Sequence, residues 1–309
     1  MPSIRDIKRR MRSVANTGKI TRAMEAVSAT KMRKAQAVAF AARPYAVHAL
    51  KLLQKLSGAS SVSHWLLEER PRKKIAIMLV TSDKGLCGVL NANVIRKFEK
   101  ILPELVEGHS DHSATPPDII TIGRFGAKYI TRHIGKPIKE FEGIGDIVGI
   151  EESRPVSRFL LHAYQFKHYD AVYAVYANFI SVLKQESVMR QLLPLTKERL
   201  REMAMGIVLR SAKEDSATGT KYQYEYKLEP NPNEILDLLL PALVEAEAYH
   251  VLLEANASEH SARMIAMKNA SDNAKDLLEA LQLSYNKVRQ AGITREIAEI
   301  TGGAAALES

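Results

Sequence analysis

Residues 4–36 read IRDIKRRMRSVANTGKITRAMEAVSATKMRKAQ, and the spacing of their apolar side chains decides how the chain is built. Ile4, Ile7, Met11 and Val14 are followed by Ile20, Met24 and Val27. Met32, Ala35, Ala39, Ala42, Ala46, Ala49, Leu53 and Leu56 then continue the series. Steps of three and four dominate, the mark of a helix with one apolar stripe. The spacing predicts one slip of register near Thr17–Gly18, which would change the winding of a supercoil locally. Pro44 predicts a bend and not a stop. Ten alanines between Ala23 and Ala49 keep the stripe thin, so that another helix can approach closely or a narrow sleeve can admit it. Some 55 residues at ~1.5 Å each would make a rod of about 80 Å.

The same period returns at the other end. From Asn233 onward, Leu239, Ala242, Ala246, Tyr249, Leu253, His260, Met264, Met267, Ala274, Leu278, Leu281, Tyr285 and Val288 step mostly by three and four. Pro232 stands just inside the start, where its missing N–H costs nothing. Pro241 predicts a kink near the entry. No glycine occurs between there and Gly292, and the pattern extends to Gly302–Gly303, roughly 70 residues and ~105 Å of helix.

Between the two helical ends the pattern changes. KKIAIMLVTS (73–82), PDIITIG (117–123), KPIKEFEG (136–143) and DAVYAVYAN (170–178) read as strands. NANVIRKFEKILPELVEG (91–108), RFGAKYITRHIG (124–135) and SRPVSRFLLHAYQFKHY (153–169) read as helices. SVLKQESVMRQLLPL (181–195) reads as a strand with weak alternation, and KYQYEYKLEP (221–230) as one more. Of the stretch 196–221, the first half is expected to be helical and the second a loop rich in Ser, Thr and Gly. Strands alternating with helices indicate an α/β layer with a largely parallel sheet. The fold class expected is α/β: a long antiparallel coiled coil from the N- and C-terminal helices, with an inserted Rossmann-like α/β domain. The expected divisions are 1–58, 73–230 and 231–309, the first pairing with the last and the insert forming a knob at one end.

Charge supports such a pairing. Of the 309 residues, 44 are Lys or Arg and 35 Asp or Glu, a formal charge of +9. Residues 1–57 hold thirteen basic and two acidic side chains, whereas residues 232–309 hold six basic and twelve acidic ones. Opposite signs favour two helices lying side by side, although each could also be a solvated face. A hydrophobic content of 46% excludes disorder as the main state. No apolar run reaches the ~18 residues of a membrane span, and the opening has no apolar core of a secretory signal. A single cysteine, Cys87, excludes an internal disulfide framework and a Cys-cluster zinc site, and fits a reducing compartment.

Catalytic patterns are missing. There is no GxxxxGK[ST], HExxH, GxSxG or SxxK. Asp83–Lys84–Gly85–Leu86–Cys87–Gly88 follows the first strand, where a dinucleotide loop would sit, but lacks GxGxxG. GIGDIVG at 143–149 has the wrong glycine spacing and precedes no clear helix. No nucleotide, cofactor or metal is expected. His109 and His112 lie in a polar loop. Cys87 reads as a small buried side chain. Asn256-Ala-Ser258 and Asn269-Ala-Ser271 match a glycosylation pattern by chance, mid-helix. The working parts are expected to be the helices themselves. A basic coiled-coil nucleic-acid binder and a membrane-surface helix are the competing readings. The first predicts salt-sensitive DNA binding and gives no reason for the pattern at the C-terminal end, and the second calls for a broader apolar face than this alanine-rich stripe.

Three blocks of the sequence carry a resemblance. Residues 4–36 closely resemble the opening of the gamma subunit of F-type ATP synthases, and SDKGLCGVLNAN at 82–93 resembles that family's first strand and loop. ASEHSARMIAMKNASDNAKDLL at 257–278 and YNKVRQAGITREIAEITGGAAAL at 285–307 resemble its C-terminal signature. The blocks lie in the family's order across nearly the whole chain. The resemblance implies a non-catalytic central rotor shaft whose coiled coil enters the hexamer of alpha and beta subunits. It implies that the α/β knob sits beside the epsilon subunit on the membrane c-ring. Proton-driven rotation would then be coupled to ATP synthesis at the beta subunits, with ATPase activity and proton flow regulated. No direct membrane insertion and no nucleic-acid partner are implied.

Residue by residue, Arg289 and Gln290 match the family's pair that catches loops of the hexamer, with Thr294 and Glu296 in the same signature. Met24, in KITRAMEAV, is expected to face that region from the N-terminal helix. Tyr226 and Glu229, in YEYKLEP, match the base that meets the c-ring and epsilon. Two positions depart from the family pattern: Ala26 replaces the more usual Met, and Gly18 stands where Gln is common. Gly18 should weaken the helix by ~1 kcal/mol relative to Ala. The plant-type form carries a dithiol switch, for which this chain has no cysteines. Because the motif begins at Ile4 with no transit peptide before it, a peripheral position on the cytoplasmic face of a bacterial membrane is expected.

Overall fold

The computed structural model describes residues 3–56, 64–107, 116–195 and 231–308. In chain order these form α1 (Ile4–Leu56), β1 (Ile75–Val80), α2 (Leu90–Glu107), β2 (Asp118–Ile122), α3 (Arg124–His133), β3 (Lys139–Phe141), α4 (Ile150–Gln165), β4 (Ala171–Phe179), β5 (Gln185–Leu193) and α5 (Pro232–Glu308). The strand and loop expected between 196 and 230 lie outside the described residues, as do His109 and His112. The chain divides into two compact units, one of residues 1–29 with 263–309 and one of residues 30–262.

Both long helices begin on sequence-encoded caps. The Ser3 hydroxyl accepts the Asp6 backbone N–H at 3.2 Å and donates to the Asp6 carboxylate at 2.8 Å. Asn231 accepts the Glu234 N–H at 2.9 Å, and Pro232 follows it at the first helical position. Each arrangement satisfies an N–H that the helix itself leaves unpaired. Both helices continue through their prolines, Pro44 and Pro241.

In the smaller unit α1 and α5 pair. Ile4 meets Gly292, Gly18 meets Ala274, and the Thr21 and Ser271 hydroxyls bond at 2.7 Å. Partner numbers fall on α5 as they rise on α1, so the pair is antiparallel. On α5 the less exposed positions include Met267, Ser271, Ala274, Leu278, Leu281, Tyr285, Val288 and Gly292, with Ala270 and Asn286 flanking them. On α1 they include Ile7, Met11, Val14, Gly18, Thr21, Glu25 and Ser28. Both series alternate steps of four and three, the heptad seam of a coiled coil.

The register slip expected near Gly18 therefore does not occur. The seam runs straight through Gly18, Thr21, Glu25 and Ser28, while Ile20 and Val27 are 60% and 52% exposed. Small and hydroxyl-bearing residues hold the seam because they let the backbones approach and satisfy each other's polar atoms. A Cβ at Gly18 would lie 3.4 Å from the Ala274 Cβ, ordinary contact. Gly18→Ala should accordingly be accepted and raise helix stability by up to ~1 kcal/mol, measured as a higher thermal midpoint. Gly18→Leu should lower it by forcing the helices apart. The register also predicts that spin labels at Met24 and Lys268 lie opposite one another. Labels at Met24 and Tyr285, by contrast, should be offset along the pair by about 25 Å, at ~1.5 Å per residue. Equal distances for the two label pairs would refute this register.

The larger unit is built on a five-stranded sheet in the order β3-β2-β1-β4-β5. β1 pairs in parallel with β2 and β4, and β2 with β3. β5 runs antiparallel to β4, since only residues 180–184 join them and so short a link cannot make a parallel crossover. Its weak alternation in sequence matches its half-exposed edge position. Every residue of β1 is buried, which explains its unbroken apolar run. Ile75, Ile77 and Leu79 face a core with Val94 and Phe98 of α2 and Ile130 of α3. Ala76, Met78 and Val80 face the opposite core, with Val156 and Leu160 of α4 and Leu236, Leu240, Val244 and Leu252 of α5. Helices thus cover both faces of the sheet. α4 opens at Ile150, directly after Gly149, so GIGDIVG does precede a helix, contrary to the expectation from its sequence. Glu151 and Glu152 in its first turn complement the positive end of the helix dipole.

Candidate functional site

Four of the expected contact residues lie near the end of the helix pair where α1 begins. Arg289, Gln290, Thr294 and Glu296 are all exposed on α5, close to Gly292, which sits against the first residue of α1. Beyond that level α5 runs on to Glu308. There Ile293, Ile297 and Ile300, at helical spacing on one face, are 48%, 57% and 71% exposed. Met24 is half-buried and, in the antiparallel register, stands opposite the region of Lys268. It does not reach the level of Arg289 and Gln290, so the two parts of the expected site are not brought together within the chain. A linear motif gives no axial position until the pairing register is known. Tyr226 and Glu229 lie outside the described residues.

A second arrangement lies in the larger unit, at the C-terminal ends of β1 and β2. In doubly wound sheets this is the crevice where nucleotides bind. Here a cavity of about 270 Å³ is lined by Asp83, Lys84, Asn91, Arg124, Asp146 and Glu259, among others. The β1–α2 loop is pinned around it. Asp83 accepts the backbone N–H of Arg124 at 3.0 Å and of Gly143 at 2.9 Å. Gly123 has φ +87°, and a Cβ there would lie 2.1 Å from the Thr81 carbonyl oxygen, so only glycine fits. Cys87 is buried beside Ser82 and Asn91, with sulfur contacts of 3.7 and 3.5 Å. Asn256, Leu252 and Ala255 of α5 form part of the wall. Among the described residues no group of acidic, His or Cys side chains is arranged to hold a metal ion.

Asp146, from GIGDIVG, gathers several partners. Its carboxylate takes Lys31 Nζ at 2.6 Å and Lys84 Nζ at 2.8 and 3.0 Å. Its backbone carbonyl meets His260 Nε2 at 2.6 Å. Hydrogen bonds from Lys31 and then Lys84 hold the carboxyl down to about 2 from an ordinary 3.8. Because the folded-state value is depressed, the stabilisation is present above pH ~4 and lost as pH falls through about 2. Wild type should therefore exceed Asp146→Asn in stability between pH 5 and 7, and the difference should shrink steadily below pH 4 to a small part of its full value at pH 2, read by circular dichroism in an acid titration. A difference that stays at its full value down to pH 2 would contradict this.

α5 is also stitched to the β4–β5 hairpin. Tyr176 donates to Glu254 Oε2 at 2.7 Å, Ser258 to the Ala177 carbonyl at 2.8 Å, and Ser261 to the Val182 carbonyl at 2.6 Å. Arg190 Nη1 lies 3.5 Å from Glu254 and 3.6 Å from Glu247, with its guanidinium over the Tyr176 ring. Burial, reinforced by Glu254, pushes the Tyr176 phenol far up, so it stays a donor. Neither this cluster nor the grouping of Asp146 with its partners is legible in the sequence. The available signals were charged residues inside apolar runs, Glu247 and Glu254 among them.

Comparison with known proteins bears on all of this. A family model described as ATP synthase matches residues 3–307. The ATP synthase gamma chain of Pelotomaculum thermopropionicum is 40% identical over 309 residues, covering all of both chains. The chain belongs to the ATP synthase gamma-chain family. The gamma chain of Chloroflexus aurantiacus is 41% identical over 313 residues, again covering both chains fully. Among solved structures, a chain of the Euglena gracilis mitochondrial ATP synthase shares the fold at a TM-score of 0.63, with 17% identity, over 98% of this chain and 94% of that one. The gamma-chain family is thus represented here with its helix pair and its α/β unit, and the exposed Arg289 and Gln290 stand on the helix pair.

Proposed function

We propose that this chain is the non-catalytic central-stalk rotor subunit of a proton-translocating F-type ATP synthase. It couples rotation of the c-ring to ATP synthesis at the beta subunits, and regulates ATPase activity and proton flow. The observation that carries this reading is the end-to-end likeness to ATP synthase gamma chains. The antiparallel pair of α1 and α5 supports it: a stiff, asymmetric two-helix shaft can contact three surrounding sites differently, and only unequal contacts shift their populations.

The partners are the alpha and beta subunits around the shaft, the epsilon subunit, and the c-ring. The segments 1–58 and 231–309 act as the shaft and 73–230 as the knob. Arg289, Gln290, Thr294, Glu296 and Met24 meet the hexamer, and Tyr226 and Glu229 meet the base. No helix among the described residues is long and apolar enough to cross a membrane, in keeping with a peripheral place on the cytoplasmic face of a bacterial membrane. The chemistry of ATP belongs to the beta subunits.

The test is purification of the tagged chain from its own cells under mild detergent. Alpha, beta, epsilon and c subunits should co-purify in a complex that hydrolyses ATP. A tagged, expressed chain that purifies without any of them would overturn the reading.

A further inference from the structure

We infer that the loop 143–149, centred on Asp146, is the fastening through which the α/β unit grips both long helices and passes a turning moment to them. This rests on the rotor reading above. Lys31 belongs to α1, Lys84 to the loop after β1, and His260 to α5, and all three converge on one residue. Tyr249 of α5 adds a fourth tie, its hydroxyl donating to the Val148 carbonyl at 3.3 Å.

The position of these ties is what gives them a purpose. The larger unit spans Thr30–Ala262, so Lys31 and His260 are among the last residues of α1 and α5 that belong to it. Deeper in the unit, α5 is held by its apolar face against the sheet, and at the level of His260 itself Ser258 and Ser261 tie it to the hairpin on the other side. Apolar packing resists separation, but the force behind it is non-directional. A carboxylate bound by two ammonium groups, with its own carbonyl held by an imidazole, has defined directions. It ties helices that no covalent link joins at that level, and so opposes their rotation over the sheet.

The side chains suit this role. Asp146 and Lys31 are only 35% and 30% exposed, against 60% for Lys84. The Lys31 pair is thus the better shielded, and Lys84 closes the carboxylate from outside. Glycines stand at 143 and 145, with no Cβ directly before Asp146, and Gly143, at φ +71°, donates its N–H to Asp83. The glycine spacing that fails as a phosphate cradle thus serves to present one aspartate. Asp146 is a positioning residue, remote from any chemistry.

The experiment uses the assembled complex. Asp146→Asn removes the charge and keeps the backbone carbonyl for His260. The double variant Lys31→Gln/Lys84→Gln removes the same ties from the other side, should the first fail to fold. In each, the opened state of the loop should become about fivefold more populated, as for loss of a partly exposed pair worth ~1 kcal/mol. This is read as faster amide exchange at 143–149. A probe on the α/β unit of the hexamer-anchored complex should show wider angular fluctuations, and proton pumping should fall relative to ATP hydrolysis. Faster exchange with unchanged angular fluctuations would assign the cluster to folding alone and overturn the inference, as would wild-type behaviour in both variants. If the wild-type complex itself neither assembles nor turns, it is the rotor reading that fails.

Discussion

Arg190→Met is expected to cost about 3–5 kcal/mol of folding stability, the loss typical when one partner of a buried ionic cluster is removed. Arg190 stands between Glu247 and Glu254, whose side chains are 8% and 7% exposed. Without the guanidinium both carboxylates lose a cationic neighbour while staying largely out of water; the Tyr176 hydroxyl and the His250 ring stay beside Glu254. Methionine matches much of the arginine stem, so little of the loss comes from packing. Urea denaturation of the full chain measures the effect. Adding Glu247→Gln and Glu254→Gln should restore part of the stability, because the two buried negative charges are then gone. Arg154→Met is the control. Its pair with Glu151 is 40% and 72% exposed, and pairs of that kind are worth at most ~1 kcal/mol. Equal losses at positions 190 and 154 would show that burial does not make the Arg190 cluster special.

The double variant Arg289→Ala/Gln290→Ala is expected to leave folding intact and to cut ATP turnover and ATP-driven proton pumping about tenfold or more. Both side chains are exposed, and Ala is the best helix former, so α5 itself should not suffer. An arginine offers a rigid fork of donors suited to carboxylates, and a glutamine both donates and accepts. Each charged hydrogen bond lost to a partner would be worth roughly 1.5–3 kcal/mol, and less where solvent reaches it. The measurement is hydrolysis and proton pumping by complex reassembled with the variant chain. Normal assembly with unchanged rates would mean that the shape of the shaft carries the coupling and that these side chains are solvated.

The candidate contacts were only partly legible in the sequence. Arg289, Gln290, Thr294 and Glu296 could be named from a motif, and their exposure follows from the polar face of an amphipathic helix. Their relation to Met24 could not, because an axial position in an antiparallel pair depends on where the partner helix starts. Asp146 has no local signal of its own, since the glycines around it read only as a phosphate loop with the wrong spacing. Its partners at 31, 84 and 260 are so far apart in the chain that nothing local connects them.

The amino-acid sequence by itself determined the three-part order, the helix starts at Ser3 and Asn231–Pro232, and the buried strands of a doubly wound sheet. These depend on neighbours: a cap three residues away, a period of 3.6, an apolar run with water on neither side. Tertiary structure alone decided the seam. Apolar spacing pointed to Ile20, Met24 and Val27, yet Gly18, Thr21, Glu25 and Ser28 face the partner, while Ile20 and Val27 are exposed. A hydroxyl that meets another hydroxyl, as Thr21 meets Ser271, loses its cost of burial, and a glycine opposite an alanine allows close approach. Neither gain exists until the second helix is in place, and so neither is written in the period of the first.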